Sequence, residues 1–458
     1  MVEGRPLCGT GLRKTQPDPR GRARVPAGIS VRDTLAIPMR RAILILSILA
    51  FTSATFPRAF ATAGDLDPTF SDDGVATAFA TGSVANAVAI DHAGRIVVVG
   101  QTIGDHVAVG VARFRPDGTP DPSFGGGDGR VKMRLGGDAA AFDVAITARD
   151  GLAITGRRMR GTTEDSFVLR LNANGEPVAA FGGDGFTLVD FGTEEAANAV
   201  SFTPSGRIVI AGYVSDGTAV RSALARLDPH GRLDPTFSGN GKRLIDLSPG
   251  ADELSDLVVL PNGAIVAAGY AEFASVPRFV LAKLRHGGAL ALGFGHRGVV
   301  STDVSSGADS ANAIAVTGSG GFVLAGSGSN GGRNDWGIAR YLSDGSLDTG
   351  FSGDGLKILG WSAAPESAYD VLLEGRKIVL AGRIHPKGSD DDAGVVRLRA
   401  TGRLDDTFGV GGVARVDAAG TTDAAHGVAI QDNGKVALAG ETWMLGTPRF
   451  LVARLRAG

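Results

Sequence analysis

Leu66-Asp67-Pro68-Thr69-Phe70 recurs letter for letter as Leu233-Asp234-Pro235-Thr236-Phe237. Variants stand at Pro120-Asp121-Pro122-Ser123-Phe124, Leu347-Asp348-Thr349-Gly350-Phe351 and Leu404-Asp405-Asp406-Thr407-Phe408. Weaker copies end at Phe181 and Phe294, where Val178 and Ala291 replace the Asp. The seven Phe residues are spaced by 54, 57, 56, 57, 57 and 57 positions. A fixed period of this length is the mark of a repeat architecture.

Each repeat runs in the same order. After the Phe comes a Gly-rich turn such as Asp73-Gly74, Asp128-Gly129, Asp184-Gly185, Asn240-Gly241 or Asp354-Gly355. A short apolar run follows, for example residues 75–79. Two further runs flank a tight turn, as 87–90 and 96–99 flank 91–95, and a fourth closes the unit, as at 109–114. Runs of about five residues rich in Val, Ile, Leu and Ala, bounded by Gly, Asn, Asp or Pro, read as strands. No stretch of the repeat region sustains a helical apolar period.

Four strands per unit and seven units predict an all-β fold, a seven-bladed β-propeller of four-stranded blades. One unit cannot bury both faces of its small sheet, so neighbours must stack, with the recurring Phe as wedge between blades. An open β-solenoid is the alternative. The repeat region starts with the phrase, turn and first run of a unit and stops after a fourth run at 450–455. The N-terminal strand at 75–79 is therefore expected to complete the last blade and close the ring.

The segments Gly94-Arg95-Ile96-Val97-Val98-Val99-Gly100, Val111-Ala112-Arg113-Phe114-Arg115-Pro116-Asp117-Gly118 and Leu66–Phe70 resemble the bacterial delta-60 repeat family, over roughly residues 64–458. The resemblance implies a propeller of largely unassigned function, often secreted or surface-associated. It implies no catalytic residue.

Three segments are expected. Residues 1–38 are Arg- and Pro-rich and read as a mis-annotated start before Met39 or as a disordered extension. Residues 39–63 read as a secretory signal peptide: Met39-Arg40-Arg41, ten mostly apolar residues at 42–51, and Ala59-Phe60-Ala61 as the small-x-small cleavage site. Residues 64–458 are the propeller. The expected location is secreted, periplasmic or at the cell surface, without a stable membrane anchor once the signal is removed. The single Cys8 lies before the signal, so the ring holds no disulfide, thiolate metal site or catalytic thiol.

The chain has 46 Lys+Arg and 48 Asp+Glu; removing the 10 and 3 of residues 1–63 leaves 36 and 45, a net of about −9. Such a ring is a poor partner for nucleic acid. Aromatics are only 6%, too few for abundant stacking platforms. A monomer binding a protein or glycan is expected.

Four features are candidates for chemistry. A polar residue stands at or just before the second run of every unit: Asn86, Asp143, Asn198, Asp256, Asn312, Asp370 and His426. If that strand is innermost, the seven face the axial channel and offer oxygen ligands to a hard cation such as calcium or to a polar ligand. The alternative is that each satisfies backbone groups. Asp143, Asp256 and Asp370 align one place later than Asn86, and a one-residue slip would turn them to the other face.

A basic residue stands in every fourth run: Arg113, Arg170, Arg226, Lys283, Arg340, Arg397 and Arg454. A structural tie to the phrase carboxylates is the favoured reading. The Asp-Gly turns, and Ser389-Asp390-Asp391-Asp392, faintly resemble calcium loops but lack EF-hand spacing. No GxSxG, HExxH or P-loop occurs, and the remaining histidines fall in or near turns.

Two functions follow. The first is a secreted, non-enzymatic binding or scaffold propeller. Its segments 102–105, 156–166, 271–277, 327–335 and 385–394 vary most, and Trp336, Trp361 and Trp443 mark blades five to seven as a first contact surface or a core. The second is a propeller lyase or hydrolase with a metal at the polar ring.

Overall fold

The computed structural model describes residues 62–79, 82–418 and 422–458. The extension at 1–38 and the signal up to residue 61 lie outside them. The described chain is all β: seven four-stranded antiparallel sheets and no helix. It is the predicted seven-bladed propeller.

Blade 1 sets the pattern, running outward through Ser83–Ile90, Ile96–Ile103, Val107–Phe114 and Arg130–Met133. Blades 2 to 6 repeat it over 139–189, 194–245, 252–302, 309–359 and 367–416. Blade 7 takes three strands from the C-terminal end, Asp423–Ile430, Val436–Met444 and Thr447–Leu455. Its fourth is Val75–Ala76, with Val75 opposite Ala453 and Ala76 opposite Val452. The ring is closed without a covalent bond, as expected.

The closure copies a turn. In blade 1, Gly118 N donates to Arg115 O at 2.9 Å and Arg115 N to Thr119 O at 2.9 Å. At the seam, Gly64 N donates to Arg456 O at 3.1 Å and Arg456 N to Asp65 O at 2.9 Å. Gly64 takes the place of Gly118 from the other end of the chain.

The core is divided into seven apolar layers, one at each joint between adjacent blades. Each layer holds one recurring Phe, and all seven are at most 2% exposed. The wedge role read from the repeat is therefore correct. Each Phe ring is cradled by a turn glycine of the next blade. At Gly118, with φ +87°, an added Cβ would sit 3.0 Å from the Phe70 ring and 2.5 Å from Ser71 N. Only glycine fits both the left-handed backbone and the ring.

Two expectations need correction. The second and third strands run eight or nine residues in most blades, longer than the five read from the apolar runs. Segments 156–166, 271–277 and 327–335 are consequently mostly strand, closed by tight hairpin turns. Polar and small residues mask these strand ends, because beyond the joint they carry no apolar signal. The tryptophans also divide. Trp336 is fully buried between blades 5 and 6, donates Nε1 to Arg383 O at 2.9 Å and meets the half-buried Trp361 edge-on at 5.3 Å. Only Trp443 is exposed.

Candidate functional site: the axial polar ring

All seven ring candidates line one axial cavity of about 130 Å³, together with Phe142, Ser255 and Tyr369. They are carried by the inner strands. A β-bulge in every inner strand brings them together. The register with the second strand slips at Asn86, Phe142, Asn198, Ser255, Asn312, Tyr369 and His426. In blades 1, 3, 5 and 7 the bulged residue is the polar one. In blades 2, 4 and 6 the polar residue, always Asp, comes next. A bulge breaks strict alternation, so the one-place offset does not send the carboxylates to the other face.

Each of the seven side chains joins its blade to the next. Asn86 Nδ2 donates to Ala141 O at 2.7 Å, Asn198 Nδ2 to Leu254 O at 3.0 Å and Asn312 Nδ2 to Ala368 O at 2.7 Å. His426 Nδ1 lies 3.0 Å from Ala85 O. A carbonyl can only accept, so the imidazole carries its proton on Nδ1.

The carboxylates work in the opposite sense. Asp143, Asp256 and Asp370 each accept from the following residue of their own strand through Oδ1, at 2.7 Å. Through Oδ2 they accept from the next blade: from Val200 N at 2.7 Å, Ile314 N at 2.8 Å and Val428 N at 2.7 Å. Donor and acceptor joints thus alternate around the axis. Seven is odd, so two donor joints must adjoin, and they do so at His426 and Asn86, where the chain closes.

Burial dominates the electrostatics. It pushes the Asp143 carboxyl up to about 6 and the Asp370 carboxyl to about 7, against an ordinary 3.8, despite two backbone N–H donors each. Asp256 is likewise raised well above the ordinary value, by burial and then by the charges of Asp143 and Asp370. His426 is lowered by burial, which keeps it neutral and fits the Nδ1–H form. Among the described residues no group of three or more His, Cys, Asp or Glu is placed to hold a metal ion. The convergence of carboxylates with His426 that a metal-dependent lyase or hydrolase would need is therefore not found there.

Sequence reading missed a second ring. Three residues before the bulge in six of the seven blades stand Ser83, Glu195, Asp252, Asp309, Glu366 and Asp423, all at most 1% exposed, whereas blade 2 has Ala139 there. Asp252 takes Ser222 N at 2.7 Å and Leu247 N at 3.1 Å, Asp309 takes Val304 N at 2.7 Å and Glu366 takes Trp361 N at 2.9 Å. These acids fasten the connections entering their inner strands. Their constant offset from the ring was the available signal.

Five of the seven basic residues are structural ties to the phrase carboxylates, the role favoured for them. Arg113 Nε pairs with Asp121 at 2.7 Å, while Nη1 reaches Ala173 O of the next blade at 2.6 Å and Nη2 reaches Ser123 Oγ at 3.0 Å. Its guanidinium lies 4.6 Å from the Phe124 ring centre. Arg226, Arg340, Arg397 and Arg454 pair with Asp234, Asp348, Asp405 and Asp67 at 2.8, 3.0, 2.9 and 2.9 Å. Lys283, facing Ala291, instead lies 5.0 Å from the Phe294 ring. The Asp-Gly turns are self-contained. Asp73, Asp128, Asp184, Asn240 and Asp354 each accept the N–H two residues on, at 2.8 to 3.3 Å. Near the Asp390 run, Asp391 meets His385 at 2.7 Å and Asp392 binds Arg415.

This architecture defines a repeat-built β-propeller. Residues 94–124, 203–237, 322–351 and 376–408 match the model of a family described as a domain of unknown function (DUF5122) beta-propeller. The four matches end on or just at Phe124, Phe237, Phe351 and Phe408, and each contains a phrase Asp paired with an Arg. No curated protein sequence matches the chain. Among solved structures it is similar to the polysaccharide lyase Uly1, at 10% identity and TM-score 0.47 over 83% of this chain and 90% of that one. It is also similar to a GH74 xyloglucanase from Xanthomonas campestris, at 10% identity and TM-score 0.46 over 81% and 54%. A third likeness is to the Bacillus subtilis arabinanase Arb43A, at 12% identity and TM-score 0.32 over 56% and 93%. No helix among the described residues is long and apolar enough to cross a membrane.

Proposed function

We propose that the protein is a non-enzymatic binding or scaffold propeller, exported to the periplasm or cell surface, that meets a protein or glycan through hairpin tips on one face. The observation that carries this reading is the use of all seven axial side chains to join blades. An axis occupied in this way is a poor place for catalysis. The face bearing the second-to-third-strand hairpins offers what the axis lacks. In blade 7, Leu445 is 98% exposed at φ +53°, beside the partly exposed Trp443 and Met444. A bulky apolar residue in a left-handed turn position costs about 1 kcal/mol or more where Asn or Gly would not. Large apolar side chains held at a tip are suited to anchoring a partner.

The test is biolayer interferometry of the purified protein against separated envelope polysaccharides and envelope proteins, beside a Trp443→Ala/Leu445→Asn double variant. One fraction should bind, and the variant should bind it about tenfold more weakly. Cleavage of a polysaccharide by the wild type, lost in Asp370→Asn, would instead place chemistry at the axis.

A further inference from the structure

The joint between blades 2 and 3 lacks a carboxylate that most joints have. In the phrase that closes blade 2, Val178 stands where five other joints have Asp121, Asp234, Asp348, Asp405 and Asp67, and Ala291 stands there in the joint between blades 4 and 5. Most of those carboxylates receive a second cation from the first turn of their blade. Arg207 meets Asp234 at 2.8 Å, Lys377 meets Asp405 at 3.2 Å and Lys435 meets Asp67 at 2.7 Å. At the corresponding place blade 2 has Gly151. A cavity of about 840 Å³ lies at this place between blades 2 and 3, lined by both Gly151 and Val178. The comparable joint between blades 5 and 6, where Arg340 keeps Asp348, encloses only about 290 Å³.

Arg170 remains in this cavity without its carboxylate. Its Nε donates to Leu152 O at 3.0 Å, and its guanidinium lies 5.2 Å from the Phe202 ring centre and 5.9 Å from that of Phe181. It forms no ion pair among the described residues. The cavity wall carries Arg149 and Arg170, no Asp or Glu, and apolar surface from Ile146, Val178 and Phe202. Lost hydration alone lowers the Arg170 pKa, with no neighbouring charge to offset it. A desolvated cation without a counter-charge is costly, and a guanidinium receives a carboxylate through two parallel hydrogen bonds. The volume falls within the range of small-molecule sites.

We propose that this cavity binds a small organic carboxylate with an apolar body, the carboxylate replacing the missing Asp at Arg170 and the body lying against Ile146, Val178 and Phe202. The cavity opens on the face of the first-turn loops, opposite the hairpin tips, so it is independent of the partner surface proposed above.

The experiment is saturation-transfer NMR and calorimetry on the full protein with 2-naphthoate, 2-naphthalenemethanol and inorganic phosphate. Two variants accompany it, Arg170→Gln and Val178→Asp, with thermal unfolding as the folding control. Val178→Asp restores the pairing found at five other joints, so it supplies the counter-charge from within. Saturable binding of 2-naphthoate is expected, at least about tenfold tighter than the alcohol or phosphate, and weakened about tenfold or more by Val178→Asp without loss of melting temperature. The proposal is overturned by absence of saturable naphthoate binding, by equal binding of the alcohol or phosphate, or by unchanged binding in a folded Val178→Asp protein. The alcohol comparison on the wild type decides the matter even where Arg170→Gln does not fold.

Discussion

Arg454 Nε donates to Asp67 Oδ2 at 2.9 Å, joining residues 387 positions apart in the sequence. The same pair occurs within a single repeat at Arg226 and Asp234, 2.8 Å apart. One interaction thus serves as an internal tie in most blades and as the clasp of the whole ring in the last. Burial opposes ionisation of Asp67, but its bonds to Lys435 and Thr69 and the charge of Arg454 hold it well below the usual carboxylate range.

Asp67→Ala and Asp234→Ala should each cost about 3–5 kcal/mol, since each leaves a buried arginine unpaired. Their local consequences should differ. Limited proteolysis below the melting temperature should release the segment up to residue 79 from Asp67→Ala, because only non-covalent contacts hold it. No corresponding fragment should leave Asp234→Ala. Identical digestion patterns would mean that the first strand is held by something other than this clasp.

The Phe wedges sit in separate layers. Phe237→Ala and Phe351→Ala should each destabilise by about 3–5 kcal/mol. They share no layer, so in the double variant the losses should add to within about 0.5 kcal/mol. Denaturant midpoints of the four proteins check this, and strong non-additivity would argue for a single continuous core.

The axial carboxyls set a pH dependence whose sign is fixed. A carboxyl raised in the folded state favours folding while protonated, so its contribution is complete below its unfolded value and is lost as pH rises through the folded one. For Asp143 and Asp370 that window runs from 3.8 to about 6 and about 7. Asp67 and Asp405 are lowered, so their contribution fades as pH falls below 3.8. The melting temperature should therefore decline from about pH 4 to pH 7 and also fall below pH 4. Asp370→Asn should flatten the neutral limb while lowering stability throughout, because an amide cannot accept both N–H groups. A melting temperature that rises from pH 4 to 7 would contradict the electrostatics.

The repeat made the fold legible because the Phe, the turn glycines and the Arg–Asp pair occupy nearly invariant offsets, and each answers a steric or charge requirement at a joint. The axial ring was legible as a set of positions. Its role was not, because the partner of Asn86 is a carbonyl at Ala141 and that of Asp143 an N–H at Val200, and backbone groups carry no letter in the sequence. The bulge before Asp143, Asp256 and Asp370 was hidden for the same reason. The burial of Trp336 depends on how far blade 5 meets blade 6, a distance that neither repeat encodes alone.

The central claim is that the axial side chains hold blades together. Thermal unfolding of His426→Asn and His426→Ala, each with calcium and with EDTA, tests it most directly. Asn already performs this task at Asn86, Asn198 and Asn312, so His426→Asn should melt close to the wild type. His426→Ala should lose about 1–3 kcal/mol by leaving Ala85 O unsatisfied, and calcium should shift none of the three. A calcium-dependent rise in the wild-type melting temperature that disappears in His426→Asn would contradict the account and make the axis a metal site.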